Sequence, residues 1–210
     1  GKHAMNGTYG IELIKSLSPI IAVLGDNISG YTANMLVAWF YNGFEPLIYN
    51  GAVMSIVKGR YPGIEHTSGA TVLGVLTDII PALSDSDQER IKSYIKYTVI
   101  SDSTFNYYSS LTLSQANSLY GIMNDENVLS RENYKLAKVY GSMDRAVWQR
   151  GDFAVGISMS SSRIFNYESI SGCNNTGWYM GDGMVLLYNG DSNRYNENYW
   201  NKANKYRLPG

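Results

Sequence analysis

The feature that most constrains the fold is a change in the spacing of apolar residues near residue 140. Before this point apolar side chains recur every three or four positions, as they do along one face of a helix. After it they recur at every second position, as in a strand with one buried face. We therefore expect a helical part followed by an antiparallel sheet, in an α+β arrangement.

The clearest helical stripe follows a predicted N-cap at Ser84 or Ser86. Its members recur at helical spacing and include Ile91, Tyr94, Ile95, Thr98 and Val99. Similar patterns predict helices around residues 11–17, 35–40, 45–57 and 70–83. Pro46 is compatible with the third of these because proline is tolerated in a first helical turn. Short connections between the helices indicate helical hairpins.

The strand pattern begins with a hairpin around Gly151-Asp152. Ala146 and Trp148 alternate on one side of the turn. The alternating residues on the other side are Phe153, Val155, Ile157 and Met159. Further strand segments are expected at residues 178–179 and 184–188, and residues 124–138 are expected to form a polar connector.

Composition excludes some classes of partner and site. The formal net charge of −1 gives no electrostatic reason to expect nucleic acid or an anionic membrane as partner. The apolar stretches are interrupted before the ~20 residues that a membrane span needs, so we expect no transmembrane helix. Cys173 is the single cysteine, so an internal disulfide is impossible, and we expect a partly buried structural residue.

Two groups of short motifs lie at opposite ends of the chain. The N-terminal group is Asn6-Gly7-Thr8-Tyr9-Gly10 with Gly59-Arg60. The C-terminal group is Asn166-Tyr167-Glu168, Asn175-Thr176 and Gly177-Trp178-Tyr179-Met180-Gly181-Asp182-Gly183-Met184. In this order they resemble polysaccharide lyase family 8, whose members cleave hyaluronan, chondroitin and xanthan. The resemblance covers nearly the whole chain from Asn6 to Gly210.

The resemblance implies a partial α/α toroid of helical hairpins followed by the first antiparallel strands of a β-sandwich. We expect residues 6–140 to be the C-terminal part of the toroid and residues 141–210 to be the start of the sandwich. Residues 1–5 are expected to be a vector-derived leader. The family register places a catalytic histidine immediately before Gly1 and a catalytic asparagine further upstream. His3 and His66 are out of that register.

The resemblance also implies the chemistry. A uronic acid is cleaved by removal of the C5 proton and protonation of the leaving C4 oxygen, in a β-elimination without a metal or cofactor. Tyr9 matches the family's general base or acid, and Arg60 matches the cation beside it. An isolated tyrosine has a pKa of about 10, so a neighbouring positive charge is needed for it to act as a phenolate. Glu168 matches a glutamate that supports this pair.

Asn6, Asn174 and Ser171 are predicted to contact substrate. Ile64 stands where the family usually has a second arginine, and Ser171 stands where it usually has an asparagine. Without the resemblance, Tyr9 is typical of a turn tyrosine and Arg60 of a solvated loop arginine. Trp178, Tyr179, Asp182 and Asn175 are interpreted as architectural residues.

These expectations describe a fragment of a secreted, extracellular bacterial polysaccharide lyase. Hyaluronan or chondroitin is the first substrate expectation and a xanthan-type polymer the second, so the partner is an anionic polysaccharide. The chain alone is expected to be inactive, and to self-associate or bind the missing parts of its parent. The alternative is a non-catalytic carbohydrate-binding relative, favoured by Ile64 and Ser171, whereas Tyr9, Arg60 and Glu168 together favour the enzyme.

Overall fold

The structure, a computed structural model, describes residues 2–63, 65–175, 177, 179–191 and 194–207, without the side chains of Asp26, Glu65, Glu197 and Lys205. Its α-helices are α1 (Ile11–Leu24), α2 (Gly30–Trp39), α3 (Glu65–Ile79), α4 (Asp85–Ser101), α5 (Leu113–Asn124) and α6 (Glu197–Lys202). Its strands are β1 (Ile48–Tyr49), β2 (Ala52–Val53), β3 (Lys135–Tyr140), β4 (Arg145–Arg150), β5 (Ala154–Ser158) and β6 (Met184–Tyr188).

The helical part follows the sequence pattern closely. Helix α1 packs against α3, and α3 contacts both α4 and α5. The Ser84 hydroxyl accepts a hydrogen bond from the backbone N–H of Asp87, so Ser84 is the N-cap of α4. Four residues of the predicted stripe are buried: Ile91, Tyr94, Ile95 and Thr98. The sequence reading missed α5, although Thr112 and Gln115 form a capping box at its start.

The helical stretch Asn6–Leu24 meets the length and composition criteria for a membrane span, contrary to the sequence expectation. This is weak support for a membrane helix, because the core helix of a water-exposed domain meets the same criteria. Ile11, Ile14 and Ile21 are buried in the core of the structure.

The helix predicted over residues 45–57 is wrong. The segment instead forms a 3₁₀ turn at Glu45–Leu47, the hairpin β1–β2 and a second 3₁₀ turn at Ser55–Val57. Asn50 and Gly51 have φ values of 44° and 74°, which is the double positive φ of a tight two-residue hairpin turn. An Asn-Gly pair favours that turn strongly, and it interrupts the apolar run that suggested a helix.

The larger sheet is antiparallel, with the strand order β3-β4-β5-β6. The predicted hairpin is confirmed, since β4 and β5 flank Gly151-Asp152. The predicted connector is too long at its C-terminal end, because β3 begins at Lys135 and only residues 125–134 connect it to α5. Tyr179 was predicted in a strand and lies in a turn instead, while Trp178 is outside the described residues.

The sheet packs on the irregular segment 45–58 through one face, to which β6 contributes the buried Met184, Leu186 and Tyr188 and β5 contributes small residues. Ala154, Gly156 and Ser158 of β5 are buried, while the intervening Val155 and Ile157 are half-buried. A Cβ atom on Gly156 would approach within 3.2 Å of Ile56, so a small residue permits this close packing. The larger side chains of β5, Val155 and Ile157, therefore lie on the opposite face of the sheet.

Two buried polar side chains of β4 satisfy the backbone of segment 45–58. Arg145 donates from Nε to the carbonyl of Ile56 at 2.7 Å. Gln149 donates from Nε2 to the carbonyls of Pro46 and Ile48 at 2.9 and 3.0 Å. Burial lowers the pKa of Arg145 to about 10, against the opposing effect of Asp144. These bonds give three backbone carbonyls of the segment a buried side-chain donor.

A helical part followed by antiparallel strands confirms the predicted fold class. The predicted domain limits stay predictions. The residues interpreted as a leader are packed: Ala4 is buried, the carbonyl of Lys2 accepts from the N–H of Phe165 at 2.8 Å, and the His3 and Phe165 rings lie 5.1 Å apart. These contacts place residues 2–4 against the rest of the chain, and the interpretation of residues 1–5 as a leader stays a prediction.

Candidate active site

Tyr9 lies on a single π-helical turn, Asn6–Gly10, that leads directly into α1. The carbonyl of Met5 accepts hydrogen bonds from the N–H groups of Thr8 and Gly10, at 3.1 and 3.2 Å, and so fixes the turn. The side-chain amide of Asn6 donates to the carbonyl of Gly43. With both of its flanks held in this way, the turn presents Tyr9 with 58% of its surface exposed.

Arg60 follows the buried segment 45–58 and comes after a glycine that is required by geometry. Gly59 has a φ of 56° and lies against Glu168, whose Oε2 would be 2.8 Å from a Cβ atom on this residue. A side chain here would also clash with Met5. Gly59 thus allows the backbone before Arg60 to approach both the N-terminal segment and the loop that carries Glu168.

Arg60 joins the other two predicted catalytic residues with different nitrogen atoms. Its Nη2 donates to the Tyr9 hydroxyl at 3.0 Å, and its Nη1 donates to Glu168 Oε1 at 2.9 Å. The guanidinium also lies over the rings of Tyr9 and Tyr61, at 5.5 and 5.0 Å from their centroids. The hydrogen bonds to Tyr9 and Tyr61 raise the pKa of Arg60 above its usual range, so the charge beside Tyr9 is permanent.

The loop carrying Glu168 is held by Asn174 and by a nearby glycine. Asn174 donates from Nδ2 to the backbone carbonyl of Glu168 at 2.9 Å. Among the described residues, Glu168 Oε2 and Asn174 Oδ1 are buried without a hydrogen-bond partner. Gly181 lies so close to the backbone of Asn166 that a Cβ atom would be 2.5 Å from its carbonyl oxygen. The motif around Gly181 therefore sets the position of the glutamate loop.

The structure brings Tyr9, Arg60 and Glu168 together and separates the three predicted substrate contacts. Asn174 lies behind Glu168. The side-chain amide nitrogen of Asn6 donates a hydrogen bond to the backbone carbonyl of Gly43. Ser171 is exposed at the tip of a tight turn between Ile170 and Cys173. That these three bind substrate stays a prediction, and Ile64 lies outside the described residues.

A cleft of about 390 Å³ opens between α1 and α3, with Tyr9 and Arg60 in its wall. Sequence reasoning missed the other side chains that line it, which include Glu12, Lys15, Tyr61, Thr67 and Thr71. Glu12 and Lys15 form an ion pair at 3.5 Å one turn apart on α1. Thr67 and Thr71 lie one turn apart on α3. The members of each pair therefore share one helix face, and this spacing is a signal that can be recognised only once the position of the cleft is known.

A second, more open depression of about 600 Å³ lies beyond the Arg60–Glu168 pair. It is lined by His3 and by residues of the segment 161–169, and it includes Glu168 itself. Phe165 and Tyr167 are exposed aromatic residues in this wall. Tyr9 and Arg60 therefore line the cleft, whereas Glu168 lines this depression.

His66 is held by contacts within the helical part. It lies in the first turn of α3 with its Nε2 3.5 Å from Asp102 Oδ2, and its ring stacks on Phe105 at 5.6 Å. Burial lowers the pKa of His66, against the opposing effect of Asp102. These contacts are structural ones, to a buried carboxylate and an aromatic ring. Within the described part of the chain, no group of three or more His, Cys, Asp or Glu residues could hold a metal ion.

Two sequence models of one family match the chain. The polysaccharide lyase family 8 N-terminal alpha-helical domain matches residues 1–97, and the super-sandwich domain of the same family matches residues 135–210. The second match begins at the first residue of β3. The first includes residues 2–5 as well as Tyr9 and Arg60.

Similar proteins agree with these matches. A hyaluronate lyase of Staphylococcus aureus (strain NCTC 8325 / PS 47) is 33% identical over 97% of this chain and 26% of its own length. A xanthan lyase of Bacillus sp. (strain GL1) is 29% identical over 99% of this chain and 23% of its own length. The chain thus spans about a quarter of these relatives.

Solved structures show the same fold. A Paenibacillus xanthan lyase superposes with a TM-score of 0.93 at 34% identity, over all of this chain and 21% of that one. A Streptomyces coelicolor A3 chondroitin AC lyase, solved in complex with chondroitin sulphate, superposes with a TM-score of 0.85 at 23% identity, over 98% of this chain and 30% of that one. The second likeness supports the fold alone.

Proposed function

The chain belongs to polysaccharide lyase family 8, and from this premise we propose that its parent protein cleaves a uronic-acid-containing polysaccharide by β-elimination. The observation that carries the proposal is that the guanidinium of Arg60 donates to both the Tyr9 hydroxyl and Glu168. We keep hyaluronan or chondroitin as the first substrate proposal and a xanthan-type polymer as the second, and similar proteins are named as lyases of all three. Because such polymers occur outside cells, we also propose that the parent is secreted.

The proposed reaction needs one proton to move between two atoms of the substrate. The C5–H bond breaks, its electrons form the C4=C5 double bond, and the C4–O4 bond breaks as the leaving oxygen takes a proton. No water and no electrons are consumed. The hydroxyl of Tyr9 is exposed in the cleft, so it can take the C5 proton as a phenolate and then deliver it to the leaving oxygen.

Arg60 is proposed to make this role possible. A phenolate accepting from a guanidinium forms a charge-assisted hydrogen bond, which is stronger than the bond to a neutral hydroxyl. Glu168 holds the second Nη atom of Arg60 and so fixes the plane of the guanidinium. We therefore assign Tyr9 as base and acid, Arg60 as the partner that stabilises its anion, and Glu168 as the residue that positions Arg60.

The isolated chain is proposed to be inactive. In the family register, the histidine and asparagine that polarise the substrate carboxylate or share in proton transfer lie before Gly1. Losing such a stabilising group typically slows a reaction by on the order of a hundredfold or more. The chain mixed with hyaluronan, chondroitin or xanthan should give no absorbance from an unsaturated uronyl product. Robust turnover would contradict the register and direct attention to His3.

Tyr9→Phe in the full-length parent tests the catalytic assignment. The substitution keeps the ring and removes the hydroxyl, so turnover should fall by at least about a hundredfold while glycan binding stays near normal. Tyr61→Phe is the matched control, because the Tyr61 ring also lies against Arg60 and lines the same cleft. The control should retain most of the turnover.

The outcome also separates the enzyme from a non-catalytic carbohydrate-binding relative. A parent that binds glycan but gives no unsaturated product would support the binding protein. Parental turnover in Tyr9→Phe would show that the tyrosine assignment is wrong, and a collapse in Tyr61→Phe alone would move the proton transfer to Tyr61.

A further inference from the structure

The charges along the described wall of the 390 Å³ cleft are already paired within the protein. Its charged side chains are Glu12, Lys15 and Arg60. Lys15 lies 3.5 Å from Glu12, and Arg60 lies 2.9 Å from Glu168. These four groups sum to zero charge, although the proposed substrate is a polyanion.

A neutral wall is a poor match for a polysaccharide of high charge density. A uronic acid polymer without sulfate has one negative charge per disaccharide, whereas a sulfated one has two or more. One carboxylate can be held by hydrogen bonds and by the outer face of a paired cation. An added sulfate needs a cation that is not already neutralised, or it is left close to the carboxylate of Glu12.

Glu12 is well placed to repel a sulfate group on a polysaccharide bound in the cleft. It lies in the first turn of α1, directly after the turn that carries Tyr9, and its side chain is exposed to the cleft. A cleft of this volume is comparable in width to the Debye length of ~8 Å at physiological salt, so Glu12 is only partly screened from a bound anion.

We propose that Glu12 is a specificity residue that disfavours sulfated chains, and that this cleft takes a uronic acid polysaccharide whose carboxylate is the only charge of each repeating unit. The inference rests on the proposed function and deepens it. Glu12 acts in two ways: it repels a sulfate directly, and through its exposed ion pair it offsets part of the charge of Lys15.

The test compares two labelled hexasaccharides with the same backbone, unsulfated chondroitin and chondroitin 6-sulfate, binding to this chain at fixed ionic strength. Fluorescence anisotropy gives both dissociation constants. The unsulfated hexasaccharide should bind more tightly, by on the order of threefold, which is the scale of one partly screened charge contact. Glu12→Gln should strengthen binding of the sulfated chain more than that of the unsulfated chain. The ratio of the two dissociation constants should therefore move toward one.

Glu89→Gln is the matched control. It removes the same charge from an exposed position on α4, none of whose residues lines the cleft, so it should leave the ratio unchanged. Circular dichroism checks that each variant is folded. The inference is overturned if the unaltered protein binds the sulfated chain more tightly, or if Glu12→Gln leaves the ratio of dissociation constants unchanged. Either result leaves the proposed function of the parent standing. Failure of both hexasaccharides to bind contradicts the proposed function of the cleft, and the inference with it.

Discussion

Arg60 donates hydrogen bonds to two residues at once. This double role requires the planar guanidinium of arginine and not only a positive charge. Nη2 bonds to Tyr9 and Nη1 bonds to Glu168. A lysine carries a compact ammonium on a flexible stem and cannot reproduce a planar fork. Charge alone would therefore not restore the geometry.

Arg60→Lys in the parent is expected to lower turnover by about tenfold or more, and Glu168→Gln is expected to lower it less, because the amide can still accept from Arg60. In a Tyr9→Phe background, Arg60→Lys should add little, since groups that act as one unit are not additive. Initial rates of formation of the unsaturated product measure all four variants. Full additivity of the two substitutions would mean that Arg60 acts on the substrate independently of Tyr9.

The sequence could identify this trio but not the rest of the cleft. Tyr9, Arg60 and Glu168 stand in motifs with a fixed order, and the structure brings them into contact. Lys15 and Thr71 carry no such signal, because a polar residue on a helix looks the same whether it faces solvent or a cleft. Only the packing of α1 on α3 decides which of them line it.

At the scale of elements, two tight turns share a geometry but differ in how well their sequences suit it. Asn50-Gly51 and Ser171-Gly172 each have two successive positive φ values. Asparagine tolerates this left-handed region better than serine does. The first pair carries the strongest short-range hairpin signal, and the long apolar run around it nevertheless suggested a helix. In that segment the Asn-Gly turn determined the structure against the apolar pattern. In α4 the N-cap and the apolar stripe both predicted the same helix.

Ser171→Asn is expected to stabilise the protein by about 0.5–1 kcal/mol, because asparagine relieves part of the strain at a φ of 51°. Urea unfolding should show a higher midpoint with an unchanged slope. Ser162→Asn is the control, as Ser162 is also exposed but is not among the residues with positive φ. A loss of stability in Ser171→Asn, or an equal gain in the control, would contradict this account.

At the scale of the whole molecule, the four-stranded sheet has one face on segment 45–58 and one face open. The open face carries two rows of paired residues that run across the strands. The rows are Trp148, Val155 and Leu187, and Val139, Ala146, Ile157 and Val185. Trp148, Val139, Val185 and Leu187 are 43%, 71%, 48% and 39% exposed. Contiguous apolar faces of this kind mark an interaction surface.

This face could not be assigned from the sequence, because alternation shows that a strand has two different faces but not which one meets the helices. In β5 the size of the residues decides it, since a Cβ atom on Gly156 would approach within 3.2 Å of Ile56 and the buried residues of this strand are small. The larger residues of β5, together with the exposed residues of the two rows, then remain for a partner layer. We accordingly propose that the isolated chain self-associates through this face, or binds there the missing parts of its parent.

Val185→Lys combined with Leu187→Lys should shift the chain toward monomer, because two charges on strand β6 cannot be buried against an apolar surface. Light scattering over a range of protein concentrations measures the change. Leu113→Lys is the control: Leu113 is highly exposed at the start of α5, remote in sequence from the sheet, and its replacement should leave the association unchanged. If the unaltered chain is a monodisperse monomer, or if the control dissociates it equally, the open sheet face is not what holds the copies together.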